Sequence, residues 1–158
     1  MTEVLFVCLG NICRSPMAEA LLRHKVRALN LGDEFVIDSA GTGNWHVGEP
    51  AHPSTRAELQ KYGIDASNLV ARQLTIGDLV RFDWILTMDE SNRKGVSFLG
   101  RPRGTLAPVL SFHPATELAE VPDPWYTSDY AQTFCLLDAA LDGFLEHLGY
   151  SRCASPTG

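Results

Sequence analysis

Lysine is scarce in this chain: three residues stand beside ten arginines, and no basic run is longer than the Arg101/Arg103 pair. With a net charge of −6, that scarcity argues against a nucleic-acid partner, which demands clustered cations. Long hydrophobic runs are also lacking. No stretch approaches the roughly 20 apolar residues of a membrane span, so membrane insertion is not expected. Cysteine is sparse, at positions 8, 13, 135 and 153, and its spacing fits neither a zinc site nor a disulfide scaffold. No metal and no cofactor are expected, and a reducing cytoplasm is the expected compartment for a reactive thiol. The chain opens on Thr2-Glu3 without a basic region or a small-residue cleavage site, and so does not read as a secretory leader.

What is present is an alternation of short β-rich runs with helical patterns across 158 residues, 45% of them hydrophobic. Such a rhythm predicts parallel strands joined by crossover helices. Strands are expected at Val4 to Val7, Phe35 to Ser39, Asp83 to Met88 and Val109 to Phe112. Helices are expected at Met17 to Leu29, Pro53 to Tyr62, Ile76 to Val80, Asp89 to Phe98 and Tyr130 to Leu148, the last with Phe134, Leu137, Leu141, Phe144, Leu145 and Leu148 as its core stripe. The segment from His113 to Asp129 reads as a loop. The expected fold is α/β, a flavodoxin-like four-stranded parallel sheet in the order 2-1-3-4 with helices on both faces. One domain over residues 1–150 is expected, with a flexible tail over 151–158.

The most informative segment is Cys8-Leu9-Gly10-Asn11-Ile12-Cys13-Arg14-Ser15-Pro16, directly after the first strand. A thiol and a guanidinium six residues apart, where a strand turns into a helix, suit covalent chemistry on phosphate. Loop N–H groups, a helix N-terminus and the Arg14 fork can grip an oxyanion, and Cys8 there is placed to act as a thiolate nucleophile. By chance, four cysteines and ten arginines in 158 residues would give about 0.25 such pairs, so the context decides. Gly10 and Asn11 tolerate left-handed backbone, and Ser15-Pro16 reads as a helix N-cap followed by proline at the first helical position.

This run, together with Asp38-Ser39-Ala40-Gly41-Thr42, Ala71-Arg72-Gln73, Met88-Asp89-Glu90-Ser91-Asn92 and Val121-Pro122-Asp123-Pro124-Trp125-Tyr126, closely resembles the low-molecular-weight protein tyrosine phosphatases over nearly the whole chain. The resemblance implies a metal-independent hydrolysis of phosphotyrosine in proteins or peptides through a phosphocysteine. It implies Cys8 as nucleophile, Arg14 as phosphoryl clamp and Asp123 as general acid, then base. Leu9, Gly10, Asn11, Ile12, Cys13 and Ser15 would form the phosphate-binding loop, supported by Ser39, and Trp45, Trp125 and Tyr126 the aromatic walls around a phenyl ring. The family often has a histidine two residues before Ala-Arg-Gln, where this chain has Leu69. Asp89 reads as a helix cap with no catalytic role, and His24, His46, His52, His113 and His147 as solvated or packing residues.

Other readings stay open. Arsenate reductases share loop and fold but need further cysteines in mid-chain, and none lies between Cys13 and Cys135. Arginine phosphatases resemble this loop with a small threonine at the position of Ile12, whereas isoleucine favours a flat phenyl ring. A redox-regulated phosphate-binding protein, with a Cys8–Cys13 disulfide, is the reading from another class. Weak self-association is left open.

Overall fold

The computed structural model describes residues 1–150; the expected tail, 151–158, lies outside the described residues. Four strands, β1 (Thr2–Cys8), β2 (Phe35–Gly41), β3 (Trp84–Thr87) and β4 (Thr105–Pro108), form one parallel sheet in the order β2-β1-β3-β4. The expected 2-1-3-4 topology is what the chain adopts. As the central strand, β1 is covered on both faces, which is why Val4, Leu5, Phe6 and Val7 form an unbroken apolar run.

Alternation along β1 divides the core. Val4, Phe6 and Cys8 pack toward α1 (Arg14–Ala28), α2 (Pro53–Gln60) and α6 (Tyr130–His147), whereas Leu5 and Val7 pack with Leu79 of α3 (Ile76–Arg81) and Val96 of α4 (Glu90–Leu99). The α6 stripe enters this core as expected, with Phe134, Leu137, Leu141, Phe144 and Leu145 buried and Leu148 partly so. None of the helices among the described residues is long and apolar enough to cross a membrane.

Two expectations are corrected. The fourth strand is Thr105–Pro108, and Val109–Phe112 is instead a 3₁₀ turn. That run is apolar because Val109 and Leu110 fill the core and Phe112 meets Phe144 edge-on at 5.1 Å, not because it pairs in the sheet. The true strand is an edge with little burial and so carries weak hydrophobic patterning. Second, α1 begins at Arg14 with Cys13 as its N-cap, so Ser15 is no cap and Pro16 lies beyond the first helical position. The loop before Asp129 also holds a one-turn helix, α5 (Pro124–Thr127), ended by Ser128 in left-handed conformation at φ 61°.

Candidate active site

Parallel strands present their carboxyl ends at one edge, and there the chain brings its polar residues together. Cys8 is the last residue of β1, Arg14 the first of α1, Asp89 the N-cap of α4 beyond β3, and Asp123 the N-cap of α5. A backbone hydrogen bond from Val121 N–H to the Met88 carbonyl, at 2.8 Å, ties the Asp123 segment to the end of β3. Cys8, Leu9, Gly10, Ile12, Cys13, Arg14, Trp45, His46, Asp123, Trp125 and Tyr126 line one cavity of about 340 Å³. Cys8 and Arg14 are buried at its base, while Trp45, Trp125 and Tyr126 are exposed at its rim. Asn11, Ser15 and Ser39 are buried behind the loop instead.

Cys8 Sγ receives a hydrogen bond from Asn11 N–H at 3.3 Å and meets Ser15 Oγ at 2.9 Å. The loop curls this tightly because Asn11 adopts φ 58°, a conformation asparagine tolerates better than most residues. It also lies directly on Gly41, where an added Cβ would stand 2.7 Å from Leu9 O and 3.1 Å from Asn11 N. In the sequence Gly41 reads as a strand terminator; its close approach to the loop shows only in three dimensions. Gly41→Ala is expected to lower kcat/KM by about 10²-fold through displacement of the loop, and unchanged kinetics in that variant would contradict the tight packing.

With Leu69 half-buried against the main core, other groups hold Asn11. Arg72 N–H donates to its Oδ1 at 2.9 Å, and its Nδ2 donates to Ser15 Oγ at 2.8 Å and Ser39 Oγ at 2.9 Å. Arg72 is itself held by a forked pair of bonds to Asp78 and by Asp38. Ser39 donates to Glu19 Oε1 at 2.6 Å. Glu19 is only 4% exposed; its burial raises its pKa, with the bonds from Ser39 and Arg23 acting against that rise. In the sequence Glu19 stands with Arg23, Lys25 and Arg27 opposite the apolar stripe of α1, and nothing local signals its burial.

Arg14 is oriented by three acceptors: Asp89 Oδ2 at 2.8 Å and Val121 O at 2.9 Å on Nη1, and Asp123 Oδ2 at 3.4 Å on Nη2. Burial pulls the guanidinium pKa down, but Cys8, Asp89 and Asp123 outweigh it and leave it raised. Asp89 therefore does more than cap α4: one oxygen accepts from Asn92 N–H and the other holds Arg14. Asp123 divides its oxygens similarly, with Oδ1 accepting from Trp125 N–H at 3.0 Å.

Trp45 sits over Gly43, where any Cβ would collide with the indole. The histidines are not all bystanders. His46 lines the cavity, and Trp125 lies 5.8 Å from both the His46 and the His52 ring. His52 also stacks on Tyr130 at 5.4 Å.

Cys13, a free thiol like Cys8, differs in environment. Burial, aided by Cys8 and Asp123, pushes its pKa up to about 11 from 9.0, against the hydrogen bond with Tyr130 Oη at 3.6 Å. A folded-state pKa above the unfolded one means that Cys13 stabilises the fold fully below pH 9.0, and that this contribution is lost as pH rises through about 11. Thermal unfolding of wild type is therefore expected to weaken between these limits more than that of Cys13→Ala. Parallel curves would contradict the assignment.

A family model described as low molecular weight phosphotyrosine protein phosphatase matches residues 3–153. The low molecular weight protein-tyrosine-phosphatase YfkJ of Bacillus subtilis is 39% identical over 147 residues, covering 92% of this chain and 94% of that protein. The corresponding PtpA of a Staphylococcus aureus strain is 36% identical over 149 residues, covering 94% of each. Among solved structures, YfkJ superposes with a TM-score of 0.91 at 37% identity, covering 94% of this chain and 95% of that one. A drosophila arginine phosphatase superposes with a TM-score of 0.86 at 30% identity, covering 95% and 99%.

Proposed function

The chain belongs to the low molecular weight phosphotyrosine protein phosphatase family, and from that premise we propose that Cys8 is its nucleophile, Arg14 its phosphoryl clamp and Asp123 its general acid and base. It is a cysteine-dependent enzyme that hydrolyses phosphotyrosine in phosphoproteins. The observation that carries the residue assignment is the single cavity with Cys8 and Arg14 at its base, Asp123 on its wall and three aromatic side chains at its rim.

In the first step the Cys8 thiolate attacks phosphorus while the bond to the tyrosine oxygen breaks, and Asp123, as a carboxylic acid, protonates that oxygen. In the second, water attacks the phosphocysteine, the Asp123 carboxylate takes its proton, and the P–S bond breaks to release phosphate and regenerate the thiolate. Arg14 is oriented by Asp89 and Val121 O before substrate arrives, so stabilisation of the equatorial oxygens needs little reorganisation. The proposed phosphate-binding residues are Leu9, Gly10, Ile12 and Cys13 along the cavity, with Asn11, Ser15 and Ser39 holding their shape. Trp45, Trp125 and Tyr126 are the proposed walls for the phenyl ring. A nucleophilic thiol favours a reducing compartment, and the cytoplasm is the proposed location.

Ile12 lines the cavity, and its branched apolar side chain is the proposed reason for preferring an aryl ester over phosphoarginine, whose guanidinium would need room and hydrogen bonds there. Hydrolysis of para-nitrophenyl phosphate, a phosphotyrosine peptide and phosphoarginine, measured side by side with EDTA present, is expected to favour the two aryl esters. Preference for phosphoarginine would overturn the substrate assignment.

A further inference from the structure

Behind the Cys8 loop runs a chain of hydrogen bonds whose direction follows from counting donors and acceptors. A backbone N–H can only donate, so the bond from Arg72 N–H to Asn11 Oδ1 sets the orientation of the Asn11 amide. Its Nδ2 then points at Ser15 and Ser39 and donates to both. Ser39 accepts that bond and sends its own proton to Glu19 Oε1. Ser15 likewise accepts from Asn11, is fully buried, and has Cys8 Sγ at 2.9 Å for its own proton.

We propose that Glu19 is a positioning residue for the nucleophile: as an acceptor-only carboxylate it turns the Ser39 proton toward itself, holds Ser39 as an acceptor for Asn11, and so keeps Ser15 donating to the Cys8 sulphur. The inference rests on the assignment of Cys8 as nucleophile. It adds a residue that makes no contact with the cavity and acts through two hydroxyls and an amide. The second oxygen of Glu19 is ion-paired with Arg23 Nη2 at 2.6 Å, and that cation favours the carboxylate against the rise in pKa that burial causes. Both ends of the chain are thus of one kind only, a donor at Arg72 N–H and an acceptor at Glu19, and the groups between them are left with one sense.

Glu19→Gln is the isosteric test. Arg23 can only donate, so the glutamine presents its oxygen there and turns its NH2 toward Ser39. Ser39 then faces two donors, its own proton has no acceptor, and the bond from Asn11 is weakened. The readout is the rate of Cys8 alkylation by iodoacetate, followed by mass spectrometry at pH 6 and at pH 9. At pH 6 the variant is expected to be alkylated about tenfold more slowly than wild type, the scale of one hydrogen bond to a charged group. At pH 9, above the ordinary range of a thiol, the two rates are expected to converge. Ser39→Ala, which cuts the same link and leaves the Glu19 pair with Arg23 in place, is expected to behave alike.

A structural role alone would lower the unfolding temperature without changing the ratio of the two rates. A folded Glu19→Gln alkylated at the wild-type rate at pH 6 overturns the proposal; if that variant does not fold, Ser39→Ala decides by the same measure. The premise fails separately, and visibly, if Cys8→Ser retains hydrolysis.

Discussion

Cys8→Ser is expected to bind inorganic phosphate much as the parent does and to hydrolyse para-nitrophenyl phosphate at least about 10⁴-fold more slowly, the scale of losing a covalent nucleophile. Cys8 is 3% exposed at the base of the cavity, with Asn11 N–H donating to its sulphur and the Ser15 hydroxyl 2.9 Å away, able to donate to a thiolate. These donors stabilise a thiolate. A serine hydroxyl remains protonated at neutral pH and is a poor nucleophile toward a phosphate ester without a base beside it. Arg14 keeps Asp89 and Val121 O as its partners in the variant, and neither depends on the sulphur. Binding is therefore predicted to survive while turnover fails. Phosphate affinity by calorimetry, run alongside the rate assay, separates the two. Retained turnover would remove Cys8 from the mechanism, and loss of binding would show that the sulphur holds the loop together.

The second large effect belongs to Asp123. Asp123→Ala is expected to slow turnover by roughly 10²–10⁴, the usual range for general acid–base catalysis. Alanine also removes the cap of α5, since Asp123 Oδ1 accepts from Trp125 N–H, and loss of a cap costs about 1 kcal/mol. Asp123→Asn resolves the ambiguity: its side-chain oxygen can still cap α5 and keep Trp125 in place, but the amide cannot deliver or take the proton. Both variants are expected to be slow, and slower still for esters of less acidic phenols, which need protonation most. An Asn variant with wild-type rates would assign Asp123 to the loop's shape rather than to the chemistry.

The two aspartates at the site differ in how far the chain announced them. Asp123 precedes Pro124, Trp125 and Tyr126, a recognisable cluster, whereas Asp89 reads as an ordinary helix cap. The cap is real, and the same carboxylate also orients Arg14, which lies 75 positions earlier in the chain. Gly41 and Arg72 are similar cases. Gly41 reads as a strand terminator and Arg72 as part of the Ala-Arg-Gln motif, yet the first makes room for the loop and the second, through its backbone N–H, holds Asn11.

The misplaced fourth strand has the same origin. Hydrophobic runs report burial, and Val109 and Leu110 are buried against helices rather than in the sheet. Thr105–Pro108, on the sheet edge, carries only Leu106 and Ala107, both partly buried, too short a run to show strand periodicity. Likewise, Ser15 has the residue type of a cap, but its hydroxyl turns inward to Asn11 and Cys8 because α1 starts one residue before it.

Local chemistry was legible from the amino-acid order. The buried strand Thr2–Cys8, the turn into α1, the six-residue separation of thiol and guanidinium, and the alternation of strands with helices all follow from side-chain periodicity and short-range backbone sterics, which neighbouring residues dictate, and that alternation in turn favours the 2-1-3-4 order. The partners of those groups were not legible. Asp89 and Asp123 on Arg14, Arg72 on Asn11, and Glu19 behind Ser39 meet only because the strand order brings four carboxyl ends to one edge. A hydrogen bond between residues far apart in the chain leaves no periodic trace in it, so tertiary packing alone decided them.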